Sequence, residues 1–277
     1  LILLAAVSLL IGYLIVYGYE SINLGLIFGD TPPLKAILLK QRGVFDGLFP
    51  AVAGTLILVA MAIVWAIPVG IATGIYLSEY AGPRVKKVLD LFFDVLSGIP
   101  SIVVGLFGFS LAVFLHKHFS NNINPSLLIS SLALSFLVLP YIIRTTQAAL
   151  EGIPRDIRLT ALALGATKLQ NIFHVLIPKS LSGIMSGVIL AIGRCAEDTA
   201  VIMLTGAVAT AGIPRSVFSQ YEALPFYIYY ISSQYSNPDE LMRGYGAAII
   251  LLVLCTILFS IAFCIRKGLT YFAFYRP

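Results

Sequence analysis

The chain has 277 residues, 59% of them hydrophobic and 11% charged, with a mean hydropathy of +0.95 and a net charge of +5. Soluble domains carry about 25% charged residues, so this composition is that of a membrane protein. The Lys and Arg residues are scattered between apolar runs and form no continuous patch, which excludes nucleic acid as a partner.

Leu1 to Tyr19 carries no charged side chain and suffices for one transmembrane helix, which needs about 20 residues. It has no small-residue cleavage site and exceeds a signal-peptide core, so it reads as a span. The sequence starts at Leu1 without methionine, and a further N-terminal segment is expected upstream. A polar connection from Glu20 to Pro50 holds turn signals at Gly29-Asp30 and Thr31-Pro32-Pro33. Ala51 to Ser78 is the second uncharged run, and its Pro68 and Gly70-xxx-Gly74 pair predict a kink and a close helix contact.

Beyond Gly82-Pro83, Val85, Val88, Leu89, Phe92 and Leu96 recur at helical spacing and predict a short basic amphipathic helix. Lys86 and Asp90 stand at i,i+4, and Asp90 and Asp94 are read as solvated or paired with Lys86 and Lys87. The third span is placed at about Val95 to Leu115, interrupted early by Ser97-Gly98-Ile99-Pro100-Ser101. His116-Lys117-His118 and Asn121-Asn122 predict a polar hairpin, without the further ligands a metal would need. A fourth span covers about Ser126 to Ile143, and a fifth runs from Ser180 to Leu204. Thr205 to Arg243 is rich in aromatics, including PFYIYY at 225–230, which suit a lipid–water interface. The sixth span, Gly244 to Ile265, ends at Arg266-Lys267. Cys195, Cys255 and Cys264 fall inside apolar runs with no CxxC or Cys/His pairing, so they read as small apolar side chains. The expected fold is an all-α polytopic membrane protein forming one transmembrane domain over residues 1–277, with about six spans.

Six spans give two alternating sets of loops. One set holds Arg84, Lys86, Lys87, Arg144, Arg155, Arg158, Lys168, Lys179, Arg266, Lys267 and Arg276. The other holds only Lys35, Lys40, Arg42, Lys117, Arg215 and Arg243. The richer set is expected in the cytoplasm, which puts both termini inside and the aromatic loop outside.

Arg144 to Thr205 is the stretch on which the chain turns. Its first half is polar and basic although it lies between apolar runs, and Asp156 to Thr167 interleaves Ala161, Ala163, Gly165 and Ala166 with leucines. Pro154 and Gly165-Ala166 punctuate that run as helix ends. A small-residue helix of this kind can dock in a socket on a partner protein. The second half is apolar except for Arg194, Glu197 and Asp198, and each charge at mid-bilayer costs roughly 2.5–3.5 kcal/mol on insertion scales.

LTALALG-x9-VLIP, from Leu159 to Pro178, resembles the EAA loop of bacterial ABC importer permeases, roughly EAA-x3-G-x9-I-x-LP. Ala161, Gly165 and Pro178 match, Leu159 and Thr160 stand where the family has Glu-Ala, and Val175 and Ile177 are mild changes. SGIPSIVVGLFGF (97–109) and SGIMSGVILAIGRCAEDTA (182–200) are similar to segments of the phosphate-specific permeases, closer to the PstA type than to the PstC type. The family's Arg-x-x-Glu-Thr is found as Arg194 to Thr199 with Asp198 inserted after the glutamate. The resemblance spans about residues 50–265. It implies the type I importer permease fold in a bacterial or archaeal cell membrane. It also implies a second, PstC-like permease subunit, two PstB-like ATPase subunits and an external PstS-like phosphate-binding protein. Asp156, Thr160, Ala161, Gly165 and Ala166 would then meet the ATPase. No GxxxxGK[ST] occurs, so ATP and Mg are expected on the partner and no cofactor on this chain.

On an ideal helix Gly183, Gly187, Arg194 and Asp198 fall within about 40° of one stripe, and Glu197 lies roughly 60° to one side. In the transport reading Arg194 offers transient donors to a phosphate oxyanion, and Glu197 or Asp198 holds it when the path is empty. A permanent salt-bridged cluster would satisfy the same charges. A permease for another oxyanion or small solute has the same architecture. An ion channel or stand-alone carrier would use the charges as a filter or relay but would need no ATPase dock. His116, His118 and His174 assemble no catalytic triad, which speaks against a membrane enzyme.

Overall fold

The structure, a computed structural model, describes residues 1–29, 47–119 and 124–275. The turn signals from Asp30 to Pro33, the pair Asn121-Asn122, and the cations Lys35, Lys40, Arg42 and Arg276 lie outside the described residues. The helices in chain order are α1 (Ile2–Gly18), α2 (Leu24–Phe28), α3 (Phe49–Glu79), α4 (Pro83–Ser97), α5 (Ser101–His118) and α6 (Leu127–Glu151). They continue with α7 (Arg155–Ala163), α8 (Lys168–Asn171), a π-helical turn (Ile172–Leu176), α9 (Ile177–Glu197), α10 (Ala200–Thr205), α11 (Leu224–Gln234) and α12 (Pro238–Tyr275). Six stretches are long and apolar enough to cross a bilayer: Ile2–Ser21, Phe49–Glu79, Ser101–His118, Leu127–Glu151, Lys168–Glu197 and Pro238–Tyr271. Helices are the form such runs take because lipid offers no partner for backbone N–H and C=O groups.

The boundaries differ from the sequence expectation in informative places. The third span begins at Ser101, after Pro100, because a proline disfavours helical backbone in the residue before it. His116 and His118 belong to the last turn of α5, where His118 stacks on Phe114, and not to the predicted hairpin. PFYIYY lies within α11. The last helix starts six residues before Gly244 and runs through Arg266-Lys267, which do not end it. The fifth run is broken at Asp198-Thr199 between α9 and α10.

By internal contacts the chain forms two compact units. The second comprises Ala62–Pro100, Leu134–Cys195 and Ile257–Pro277, and its centre is α6. A Cβ at Gly70 would come within 2.7 Å of Ile142, and one at Gly74 within 2.6 Å of Thr146. Gly183 and Gly187 make the same kind of approach, to Ala149 and Thr145. Small residues let backbones meet closely, which is the main source of helix association where lipid is as apolar as the side chains. Leu77, Phe93, Leu96 and Ile143 form one apolar cluster here, and Leu150, Ile153, Ile172 and Leu176 form another.

The first unit comprises Leu1–Met61, Ser101–Ala133 and Ala196–Thr256. α10 lies on the Gly105 and Gly108 face of α5, where added Cβ atoms would meet Val201 Cα at 3.0 Å and Thr205 at 2.8 Å. α1 touches α12 through Tyr13 and Tyr245, with Gly18 against the Tyr245 backbone. Most of α1 is exposed, as a lipid-facing helix is. Gly54 of α3 receives the chain that enters α11: a Cβ there would stand 2.0 Å from the Glu222 carbonyl oxygen. Next to it the Leu224 N–H donates to Thr55 Oγ1 at 2.9 Å.

Gly54→Ala is therefore expected to destabilise the protein by about 1–3 kcal/mol of overpacking. Gly12→Ala, where a Cβ meets nothing within 4 Å, should leave the melting temperature in detergent unchanged.

Candidate functional site

The connection expected between the fourth and fifth spans, Arg144 to Lys179, is mostly helical, and its two ends lie within the helices Leu127–Glu151 and Lys168–Glu197 of those spans. Arg144 lies inside α6, and its guanidinium reaches Asp90 at 2.5 Å and Asp94 at 2.5 Å on α4. Lys86 bridges to Glu151 at 2.8 Å. The pairing of Asp90 and Asp94 with Lys86 and Lys87 expected from spacing is thus replaced. α6 brings a guanidinium with two donor edges to carboxylates one turn apart.

α7 carries the predicted docking residues. Asp156 lies in its first turn, where a negative charge suits the helix dipole, and its carbonyl accepts the Thr160 hydroxyl at 2.7 Å. The helix ends in a Schellman motif: Gly165 N–H donates to Leu162 O at 3.0 Å, and Ala166 N–H donates to Ala161 O at 3.0 Å. Gly165 has φ +86°, a backbone that favours glycine. Thr167 then caps α8 in a reciprocal box with Gln170. Asp156, Thr160 and Gly165 are exposed, and Ala161 and Ala166 half-buried. Leu159, Leu162 and Leu164 are exposed beside them, Leu164 to 84%.

The other side of this element is tied down. Arg158 donates to Glu79 Oε1 at 2.9 Å, to Ile153 O at 3.2 Å, and to the Leu150 carbonyl. Lys168 donates to the Glu79 carbonyl and lies 4.3 Å from the Tyr80 ring centroid. Asn171 donates to the Arg158 carbonyl at 2.9 Å. Glu79 and Tyr80 carry no motif in the sequence. Only the fold brings them under a helix that starts more than seventy positions later.

At the other candidate stretch, Arg194 is half-buried in the last turn of α9, and Glu197, exposed, closes that helix. Asp198 is 3% exposed and lies outside the helix, where its Oδ1 accepts the Val201 N–H at 2.8 Å and so starts α10. The stripe an unbroken helix would give therefore does not extend to Asp198. Arg194, Glu197 and Asp198 each make further polar interactions.

Around α10 the first unit gathers buried hydroxyls. Thr205 Oγ1 donates to Val201 O or Ser130 Oγ, 2.8 and 2.9 Å away. Gly206, at φ +153°, packs on the Ser126 backbone, and Ser126 N–H donates to Thr205 O at 2.8 Å. The returning chain accepts the first N–H groups of α6, Leu127 onto Ser219 O at 3.0 Å and Leu128 onto Val217 O at 2.8 Å. Tyr221 is fully buried there, and burial pushes its phenol well above the ordinary range. Burial also raises the Glu222 carboxyl, partly offset by the Gly212 N–H, which donates to it at 2.7 Å. Ser130, Thr205 and Tyr221 were not singled out from the sequence, since isolated hydroxyls in apolar runs give no pattern.

Because Glu222 is shifted upward from its ordinary 4.5, its ionised form is disfavoured in the fold. The stability it contributes is full below the unfolded value and is lost as pH rises through the folded one. Glu222→Gln keeps an acceptor for Gly212. It is expected to melt higher than wild type at neutral pH, with the difference vanishing as the pH is lowered towards 4.5.

Residues 66–271 match the family described as the binding-protein-dependent transport system inner membrane component. The chain is 34% identical over 227 residues to phosphate transport system permease protein PstA 1 of Mycobacterium tuberculosis, covering 80% of this chain and 70% of that protein. It is 30% identical over 256 residues to the PstA protein of Haemophilus influenzae, covering 92% and 86%. Among solved structures, a chain of a bacterial ABC transporter that imports the polysaccharide alginate matches with TM-score 0.63 at 15% identity, over 97% of this chain and 96% of that one. A chain of the inward-facing MetNI methionine transporter matches with TM-score 0.58 at 18% identity, over 87% and 99%. At such identities the likeness establishes the fold, that of type I ABC importer permeases.

Proposed function

This chain belongs to the binding-protein-dependent transport system inner membrane components, and from that membership we propose that it is the PstA-type permease subunit of an ATP-driven importer of inorganic phosphate. The observation that carries the reading is the similarity to phosphate permeases over most of the chain, 92% of it for the Haemophilus influenzae protein. One half of the translocation path is this chain's, and a PstC-like permease supplies the other. A PstB-like ATPase dimer carries ATP and Mg, and a PstS-like protein delivers phosphate from outside. Both termini and α7 face the cytoplasm, in keeping with the excess of Lys and Arg on that side.

α7 and its Schellman end are the ATPase contact. Asp156, Thr160, Ala161, Gly165 and Ala166 present a small, polar surface, and the exposed leucines beside them supply apolar area for a groove. Arg158 and Lys168, anchored to Glu79, make the helix move with α3 and α6. A nucleotide-driven displacement at α7 thereby reaches the spans.

Within the path, Arg194 offers guanidinium donors to the phosphate oxyanion. Glu197 and Asp198 balance its charge when no anion is present, so that capture stays weak enough for release. Asp198 contributes also by starting α10, which fixes where the helical path is interrupted.

ATP-driven uptake of labelled phosphate into proteoliposomes holding this chain, its permease partner, the ATPase and the binding protein tests the assignment. Uptake competed by phosphate and not by sulfate or molybdate is the expected result. Arg194→Ala is expected to lower uptake at least ten-fold with assembly intact, and Arg194→Lys to recover part of it. Near-normal transport in both would remove Arg194 from the path. Gly165→Val forces a branched residue into the left-handed region, at a cost of roughly 1–2 kcal/mol. It should weaken co-purification of the ATPase subunit while the permease still inserts.

A further inference from the structure

α4 joins two membrane spans, with three residues on either side, Tyr80 to Gly82 and Gly98 to Pro100, so it is held at the level where the spans end. It has three distinct faces. Phe93 and Leu96 are buried against Leu77 and Ile143. Asp90 and Asp94 are both engaged by Arg144. These two attachments fix the roll of the helix about its axis. The face they leave outward holds Val85, Val88, Leu91, Phe92 and Val95, all exposed, within an arc of roughly 120° at about 100° per residue. Arg84 falls inside that arc and Lys87 about 40° beyond its edge. Both are exposed, and neither makes an ion pair among the described residues, whereas Lys86 is held by Glu151.

An apolar arc that holds Arg84, has Lys87 just beyond its edge and contains no acidic residue is the pattern of a helix lying in the bilayer interface. Its partner is distinguished by charge. A protein groove could cover the apolar arc. It would not explain why both carboxylates of α4 are offset by Arg144, Asp94 while still 67% exposed, whereas Arg84 and Lys87 make no ion pair among the described residues, at the depth where long cationic side chains reach headgroups. We propose that α4 is an anionic-phospholipid-binding element. Val88, Leu91, Phe92 and Val95 enter the acyl boundary, and Arg84 and Lys87 hold the headgroup phosphates of acidic lipids. The Arg144 bridges then couple the lipid surface to α6, and the same leaflet supports the end of α3 that anchors α7.

The test is native mass spectrometry of the full permease complex purified with phosphatidylglycerol and phosphatidylcholine supplied in equal amounts. Wild type is expected to retain phosphatidylglycerol in preference. Arg84→Gln with Lys87→Gln should lower that retention by roughly 25-fold, since each cation near an acidic surface contributes roughly five-fold. Arg215→Gln, an exposed cation elsewhere, should leave it unchanged. Val88→Gln with Leu91→Gln, which keeps both cations, should weaken retention of both lipids. Equal retention of the two lipids by wild type would overturn the proposal. So would an unchanged preference in the double Gln variant with a normal melting temperature. Loss of a partner subunit with lipid retention intact would assign the face to a protein instead.

Discussion

The close approach of two neighbouring helices to α6 is the constraint on which the second unit depends. Gly70 and Gly74 bring α3 onto Ile142 and Thr146, and Gly183 and Gly187 bring α9 onto Ala149 and Thr145. Inside a bilayer there is no hydrophobic force to drive helices together, so contact between backbones with nothing in the way supplies the attraction. α6 can then act as a post whose end is used twice. Arg144 leaves it to hold α4, and Leu150 and Ile153 begin the apolar cluster that supports α7. A side chain added at any of these four glycines would separate elements that carry different tasks.

Charge in this chain is handled by three different devices. Glu79 is nearly buried and matched by Arg158, so it is part of the framework, and breaking one side would leave an uncompensated charge. Asp90 and Asp94 share one guanidinium, which offsets the negative charge of α4 although Asp94 stays 67% exposed. Asp198 solves two problems together. A helix interrupted within an apolar run exposes N–H groups that lipid cannot satisfy, and a buried carboxylate needs donors. The bond from Val201 N–H to Asp198 meets both needs.

The helix after Pro154 and its end at Gly165 were largely legible in the sequence because their signals are local. A proline before the first turn, a glycine that takes a left-handed backbone at its end, and small side chains alternating with leucines all act within a few positions. Gly165 and Ala166 end the helix as their punctuation predicts, whereas Thr167, read as part of that run, caps α8 instead. What anchors the element was not legible, since Glu79 and Tyr80 are joined to Arg158 and Lys168 only by the fold. The Arg194 to Asp198 cluster was found from charge in an apolar run, yet its geometry was misread, because hydropathy does not report a helix break. An aspartate offers its carboxylate to backbone N–H groups as readily as to an arginine, and the sequence does not say which it meets.

The sequence by itself determined that the chain crosses a membrane about six times, that Gly70 and Gly74 mark a tight helix contact, and that a punctuated small-residue helix lies between two spans. Those follow from composition, period and backbone preference, which every residue carries wherever the chain folds. Tertiary structure alone decided that Arg144 pairs with Asp90 and Asp94, and that α10 restarts on the Gly105 and Gly108 face. It also decided that the chain from Gly206 to Glu222 caps α6 and seats on Gly54. Each of these joins groups far apart in sequence, and which donor meets which acceptor is set by the few arrangements in which close-packed helices leave few polar groups stranded.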